Sequence, residues 1–288
     1  MSAGEAPAGV ADWLDQLASR QQLTRKSHTV LQSLSANPRL ASFGSVREVA
    51  EKANVSIGTV TRTAQALGFV GWPALQEELR TLYLASLSAS ETVHSRNGGQ
   101  DRPAYASLSR DRDNINSFMG SVDLDQLTRV ARAIASSRRT FIVAIGSFNG
   151  VGQVLAHNAW LHGYDVRLLA EEAQIVNTVS LAEPEDLVIV ISFWRFYESS
   201  YQTIQACNAN GVPVVLLTET VTRSFEQQCS ECIRIPTESI GFSPSLTAAV
   251  AVVHAIIAEL MAIDPERSTQ MIERADREWA RFHLVHRF

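Results

Sequence analysis

Cysteine is scarce in this chain, three in 288 residues. An odd number builds no disulfide framework and fits a reducing compartment. Long apolar runs are missing too: no window reaches 18 uninterrupted apolar residues, so no membrane span is expected. The amino-terminal stretch MSAGEAPAGVADWLDQLA is acidic and lacks the basic start and apolar core of a secretory signal. An excess of positive charge is also absent, and the net charge of −5 taken alone argues against nucleic acid. What is present is 45% hydrophobic and 19% charged, the make-up of a globular protein with a substantial core.

The distribution of charge changes that picture. Residues 20–85 carry eight bases against four acids, a net +4, while the segments on either side are acidic. A basic module joined to an acidic one suggests two jobs. Residues 86–103, SLSASETVHSRNGGQDRP, lose all periodicity and gather Ser, Gly and Asn, as a linker does. The expected organisation is a helical domain over 1–85, a linker over 86–103 and a second domain over 104–288.

The first domain reads as short helices. TRKSHTVLQSLSAN has Val30, Leu31 and Leu34 at helical spacing, Thr24 as N-cap and Pro38 as a stop. In SVREVAEKA, Ser45 and Glu48 have capping-box spacing. After a break at Asn54-Val55, SIGTVTRTAQAL starts at an N-cap, Ser56, and ends at Gly68. A further helix opens with Pro73 in its first turn.

On a wheel of residues 56–67, Val60, Ala64 and Leu67 share one face with Ile57 beside them. Gly58, Thr59, Arg62 and Gln65 are expected to point the other way. Two helices at a tight corner, the second with a small, polar and basic outer face, suit the DNA major groove. Arg reads guanine, Gln adenine, and Thr a thymine methyl. Arg25, Lys26, Arg47 and Lys52 are the expected phosphate contacts, and Ser56 is grouped with the DNA-facing set. The plainer reading is a helical packing module with a basic surface.

From residue 104 onward strands alternate with helices. TFIVAIG, DVRLL, DLVIVIS, VPVVLLT and ECIRIP read as strands, nearly continuous in apolar residues, and a long helix spans 244–263. That pattern predicts a doubly wound, parallel, five-stranded α/β sheet covered on both faces. Ligands on such sheets bind beyond the carboxyl ends of the strands. Two loops qualify. GSFNG offers Gly146 for a sharp turn, Ser147 and Asn149 as hydrogen-bonding side chains, and helix amides from Gly150 onward for an anion. The second, SFWRFYESS, places four aromatics and Arg195 directly after Ser192. Packing accounts for the aromatics equally well. In the functional reading Arg195 is a positive fork among aromatic walls, suited to an anion with an apolar or ring-shaped body.

Together these pieces resemble the RpiR/MurR family of bacterial transcriptional regulators. SVREVAEKANVSIGTVTRTAQALGFVGWPALQEELR is similar to that family's helix-turn-helix, and TFIVAIGSFNGVGQVLA, AEPEDLVIVIS and NANGVPVVLLTE resemble its SIS (sugar isomerase) domain. The resemblance implies a sensor that binds a sugar phosphate and changes operator affinity. Family loops read Gly-x-Gly-Ser-Ser and Ser-x-Ser-Gly-x-Thr. Here Ala144 replaces the first Gly, and Trp194, Arg195 and Tyr197 occupy hydroxyl or glycine positions of the second. Ser147 and Ser192 are kept. The implied effector site is therefore a rebuilt one, with Arg195 and Tyr197 in it. Glu238 and Ser243 approach it by resemblance only.

Other signals carry less. Cys229 and Cys232 lack further ligands nearby for zinc, and Cys232 reads as a core residue. His157 and His162 are expected at the surface, and His254 in a core or interface. No metal, cofactor or catalytic residue is expected. The expectation is a cytoplasmic, non-enzymatic regulator, a repressor acting as a homodimer or homotetramer on double-stranded operator DNA. Leu246, Val250, Val253 and Ile257 are the candidate pairing stripe. The alternatives are a sugar-phosphate isomerase with a helical appendage and a DNA-binding scaffold without a ligand.

Overall fold

A computed structural model describes residues 9–87, 102–194, 196–284 and 286. They fall into two compact units, one with the helices up to residue 86 and one with the helices and sheet from residue 103.

The first unit holds α1 (Val10–Ala18), α2 (Arg25–Ala36), α3 (Pro38–Phe43), α4 (Val46–Lys52), α5 (Ile57–Ala66) and α6 (Trp72–Ser86). The caps are where the sequence puts them. Thr24 accepts from the Ser27 N–H, Ser56 from the Thr59 N–H, and Ser45 and Glu48 close a reciprocal capping box. Two helices go beyond the sequence reading. In α1, an acidic stretch weighed only as a signal, Val10 and Leu14 lie one turn apart and both are buried. Pro38 does follow the end of α2, but it also opens α3, because a first-turn residue needs no N–H. The core gathers Leu14, Val30, Leu34, Val60, Leu75 and Leu79.

In the second unit the chain runs α7 (Pro103–Ser121), α8 (Leu124–Ser136), β1 (Thr140–Ala144), α9 (Asn149–Leu161), β2 (Val166–Leu169), α10 (Glu172–Val179), β3 (Leu187–Ile191), α11 (Glu198–Ala209), β4 (Val214–Thr218), β5 (Glu231–Arg234), α12 (Thr247–Ile263) and α13 (Pro265–Arg281). The five strands form one parallel sheet in the order β2-β1-β3-β4-β5. Every residue of β1, β3 and β4 is buried, as expected for a sheet covered on both faces. Gly152 lets α9 approach closely: a Cβ there would lie 2.8 Å from Leu168 and 3.1 Å from the Ala144 methyl.

Helix α12 is a core helix. Val253 and Ile257 are buried within the unit, and Leu246 and Val250 pack partly buried against the same cluster. The proposed pairing stripe is thus consumed by the unit's own core. His254 is exposed on this helix, on the side turned away from that cluster, so it is not a core histidine. His162 is the reverse case: it caps α9 and is buried, and desolvation lowers its pKa. Burial pushes the Cys232 thiol up to about 12, in keeping with a small core residue. No single described helix is long and apolar enough to cross a membrane.

At the amino-terminal edge of the sheet, the wholly buried Asp186 carboxylate accepts two forked pairs. Arg138 donates through Nε and Nη2 at 3.1 and 3.0 Å, and Arg139 through the same atoms at 3.1 and 2.6 Å. The Glu183 N–H adds a bond at 3.1 Å. Burial alone would raise this carboxyl's pKa, but the hydrogen bonds from Arg139, Arg138 and Glu183 outweigh it and hold the group well below its ordinary value. A depressed folded-state pKa gives stability that is present above the ordinary value and lost as pH falls. Urea unfolding should therefore show stability declining as pH drops below 3.8, the ordinary carboxyl value. Asp186→Asn should flatten that acid limb and cost about 2 kcal/mol near neutrality, the arginines being partly exposed. An unchanged acid limb would remove Asp186 from this role.

Candidate functional sites

The corner between α4 and α5 is built by one residue with unusual backbone. Asn54 has φ 51, and the Val55 N–H returns to the Ala50 carbonyl at 2.9 Å while the Asn54 N–H meets Glu51 at 3.0 Å. This is the Schellman arrangement, which stops α4 and turns the chain into α5 within three residues. The Thr63 hydroxyl, bonded to Ser27 at 3.2 Å, ties α5 to α2.

On α5, Arg62 and Gln65 are exposed and Gly58 is half-buried under the Arg62 guanidinium, whose Nη1 would sit 3.4 Å from a Cβ at that glycine. These three share a face. Thr59 does not join them. It is buried, its N–H and hydroxyl both engaged with Ser56 Oγ at 3.2 and 3.0 Å, because the capped first turn rolls it toward the core. Ser56 itself is exposed, but its oxygen is committed to the cap. Ile57 is 42% exposed, against the expectation that it packs inward. Thr61, not selected from the sequence, lies between Ile57 and Gln65 on the wheel and is half-buried beside them. Arg25, Lys26, Arg47 and Lys52 are all exposed.

In the second unit, the register Ala144↔Ile191 brings the ends of β1 and β3 level. The strand order reverses between them, β2 lying on one side of β1 and β3 on the other, and the place beyond their carboxyl ends is where sheets of this kind carry a ligand crevice. Gly146 takes φ +63 there and starts a single 3-10 turn. Ser147 and Gly150 are exposed and Asn149 half-buried, so the first loop presents the groups expected of it. Ser192 is fully buried, with its N–H on the Leu217 carbonyl at 3.0 Å. Its side chain is buried at the end of β3.

The aromatics divide into packing and wall. Phe193 is sealed against Phe148, ring centroids 5.5 Å apart, and Phe196 meets Phe225 at 5.3 Å. Trp194, in the left-handed region at φ 58, stands edge-on to Phe242 at 4.8 Å. Bulky residues rarely adopt that backbone, and such strain concentrates at functional sites. Tyr197 packs against Phe148 at 6.2 Å and lays its hydroxyl over Gly146, 2.8 Å from where a Cβ would stand. Arg195 lies outside the described residues. Glu238 and Ser243 are exposed on the segment between β5 and α12. Phe242 of that segment was missed in the sequence because nothing in its neighbourhood is periodic. Among the described residues, the buried hydroxyls of Ser199 and Ser200, in the first turn of α11, and of Thr237, beyond β5, have no hydrogen-bond partner.

The helix-turn-helix domain of the rpiR family matches residues 11–86, and the SIS domain matches residues 133–264. The chain thus carries an rpiR-family helix-turn-helix domain followed by a SIS domain. It is similar to the uncharacterized HTH-type transcriptional regulator YfhH of Escherichia coli K12, 24% identical over 233 residues, covering 79% of this chain and 83% of that one. It is also similar to the HTH-type transcriptional regulator HexR of Pseudomonas aeruginosa, 22% identical over 206 residues, or 71% and 72% of the two chains. Among solved structures, the Vibrio vulnificus NanR protein complexed with ManNAc-6P superposes with a TM-score of 0.62 at 16% identity, covering 95% of this chain and 99% of that one. This likeness shows a shared fold. The chain is thus an HTH-type transcriptional regulator with a SIS domain.

Two outcomes follow from the geometry. In DNA titrations, Arg62→Ala should relax base preference, whereas Lys52→Ala should weaken all sequences alike and lower the salt slope by about 1. Equal binding by both variants and the parent would displace α5 from the groove. Gly146→Ala should destabilise the protein by about 1–2 kcal/mol through its left-handed backbone, and more through the Tyr197 hydroxyl. Tyr197→Phe in the same chain should recover the second part in urea unfolding, and no recovery would mean the phenol does not lie over Gly146.

Proposed function

We propose that this regulator is a repressor that reads double-stranded operator DNA with α5 and releases it in response to a small anionic metabolite at the strand ends. Arg62 and Gln65 would read bases beside Gly58, and Arg25, Lys26, Arg47 and Lys52 would hold phosphates. The observation that carries the reading is the exposure of Arg62 and Gln65 on the face they share with Gly58, on a segment of net charge +4 in an otherwise acidic chain. At the other end, Gly146, Ser147, Asn149 and Gly150 would receive the anion. Tyr197, Arg195, Glu238 and Ser243 would flank it. A sugar phosphate is the favoured class, supported by the ManNAc-6P complex of NanR. The exposed rings of Tyr197 and Phe242 suit an effector with an apolar or ring-shaped body.

The working domain division is 1–85, 86–103 and 104–288. A twofold operator calls for a homodimer or homotetramer, and the reading places the protein in the cytoplasm. Regulation rather than isomerisation is supported by the names of the curated relatives. An isomerase needs a base poised over the sugar, and the two residues that could be nominated for it, Glu238 and His254, are both exposed.

Thermal unfolding against a panel of sugar phosphates, amino-sugar phosphates and organic acids tests the effector. A true effector at 100 times its dissociation constant should stabilise the protein by about 2.7 kcal/mol, and Arg195→Ala should abolish that gain. Tight binding of a common hexose phosphate that survives Arg195→Ala would contradict the rebuilt site. Silence across the panel, with DNA binding intact, would leave a ligandless scaffold.

A further inference from the structure

Asn114 is an odd residue to find buried in the middle of a long helix. Asparagine is a poor former of helix interiors, and a buried amide is costly unless it is hydrogen-bonded. In α7 it is 3% exposed, and its side-chain amide donates to the Glu238 backbone carbonyl at 2.8 Å. One turn earlier on the same helix, the Asp111 carboxylate accepts from the Ser245 hydroxyl at 2.5 Å and from the Thr247 hydroxyl at 3.0 Å. The segment so held, 237–245, has no regular structure of its own, and its base is closed by the Ser245 N–H on the Thr237 carbonyl at 3.0 Å. From its tip Phe242 reaches Trp194, the strained residue of the crevice, edge-on at 4.8 Å.

These contacts form a continuous chain. It runs from the loop after β3, through the Trp194–Phe242 ring pair and the 237–245 segment, to Asn114 and Asp111 on α7. Helix α7 is also the first described helix after residues 88–101, which join the two units in sequence. The geometry points to Asn114 and Asp111 as positioning residues that couple the crevice loops to α7. A ligand that moves Trp194 or Phe242 then changes the state of the helix leading from the DNA-binding domain. This inference rests on the strand ends being the effector site. It adds the route by which occupancy leaves that site. Coupling of this kind requires an element that both ends bias, and the 237–245 segment, closed at its base by one backbone bond and held to α7 through the side chains of Asn114 and Asp111, supplies it.

Hydrogen exchange on the full-length chain tests the coupling without effector or DNA. Asn114→Ala and the near-isosteric Asn114→Leu should each accelerate exchange in 238–246 about tenfold, the loss of one buried hydrogen bond. Phe242→Ala should act in the reverse direction and accelerate exchange at 111–118 of α7 by a similar factor. Asn116→Ala, on the exposed side of α7, should change neither, and β1 and β3 should keep their protection in every variant. If Phe242→Ala leaves α7 unchanged, or if acceleration spreads evenly over the sheet, these residues are packing elements and the inference is overturned. Should Asn114→Ala fail to fold, Asn114→Leu and Phe242→Ala decide the matter. A negative result leaves the regulator reading standing, and a negative effector panel leaves the coupling measurable.

Discussion

The complete burial of the three central strands governs the second unit. Every position of β1, β3 and β4 is spent on the core, and the middle of the sheet leaves no exposed face on which to place polar chemistry. Polar groups that serve a ligand can stand only where the strands run out. The reversal of order between β1 and β3 selects which ends. Gly146 and Trp194, two of the few residues with positive φ, both lie there. The backbone departs from ordinary geometry where the sheet stops dictating it.

The first unit obeys a different constraint. Its helices are short, and their ends must be satisfied by caps rather than by length. Ser45, Glu48, Asn54 and Ser56 together fix the angle at which α5 leaves the core. The same caps explain why Thr59 turns inward: a first turn pinned by Ser56 cannot also present that hydroxyl to a duplex. What remains outside is the face around Gly58, where the Arg62 guanidinium rests.

Local patterns made the caps, the strands and the order of elements legible in the sequence, since each depends on residues within a few positions of one another. The five strands, the capping box at Ser45 and the break at Asn54 are examples. The failures have other causes. Thr59 is turned inward by its engagement with the Ser56 cap, which the wheel of residues 56–67 left out, and His162 is buried by packing that no helical spacing contains. Phe242 and Asn114 were invisible because their partners lie 48 and 124 residues away. The departure of the second loop from its family's pattern was legible. The division of its aromatics between floor and wall was not, because that depends on Phe148, Phe225 and Phe242.

The account stands or falls on which surface meets DNA. Photoreactive benzophenone groups placed singly at Gln65 on α5 and at Gln153, an exposed position of α9, would settle it by cross-linking to DNA from the upstream region of the chain's own gene. A cross-link to base-pair edges from position 65, with none from 153, is the predicted result. Cross-linking from 153 while 65 stays silent would contradict it.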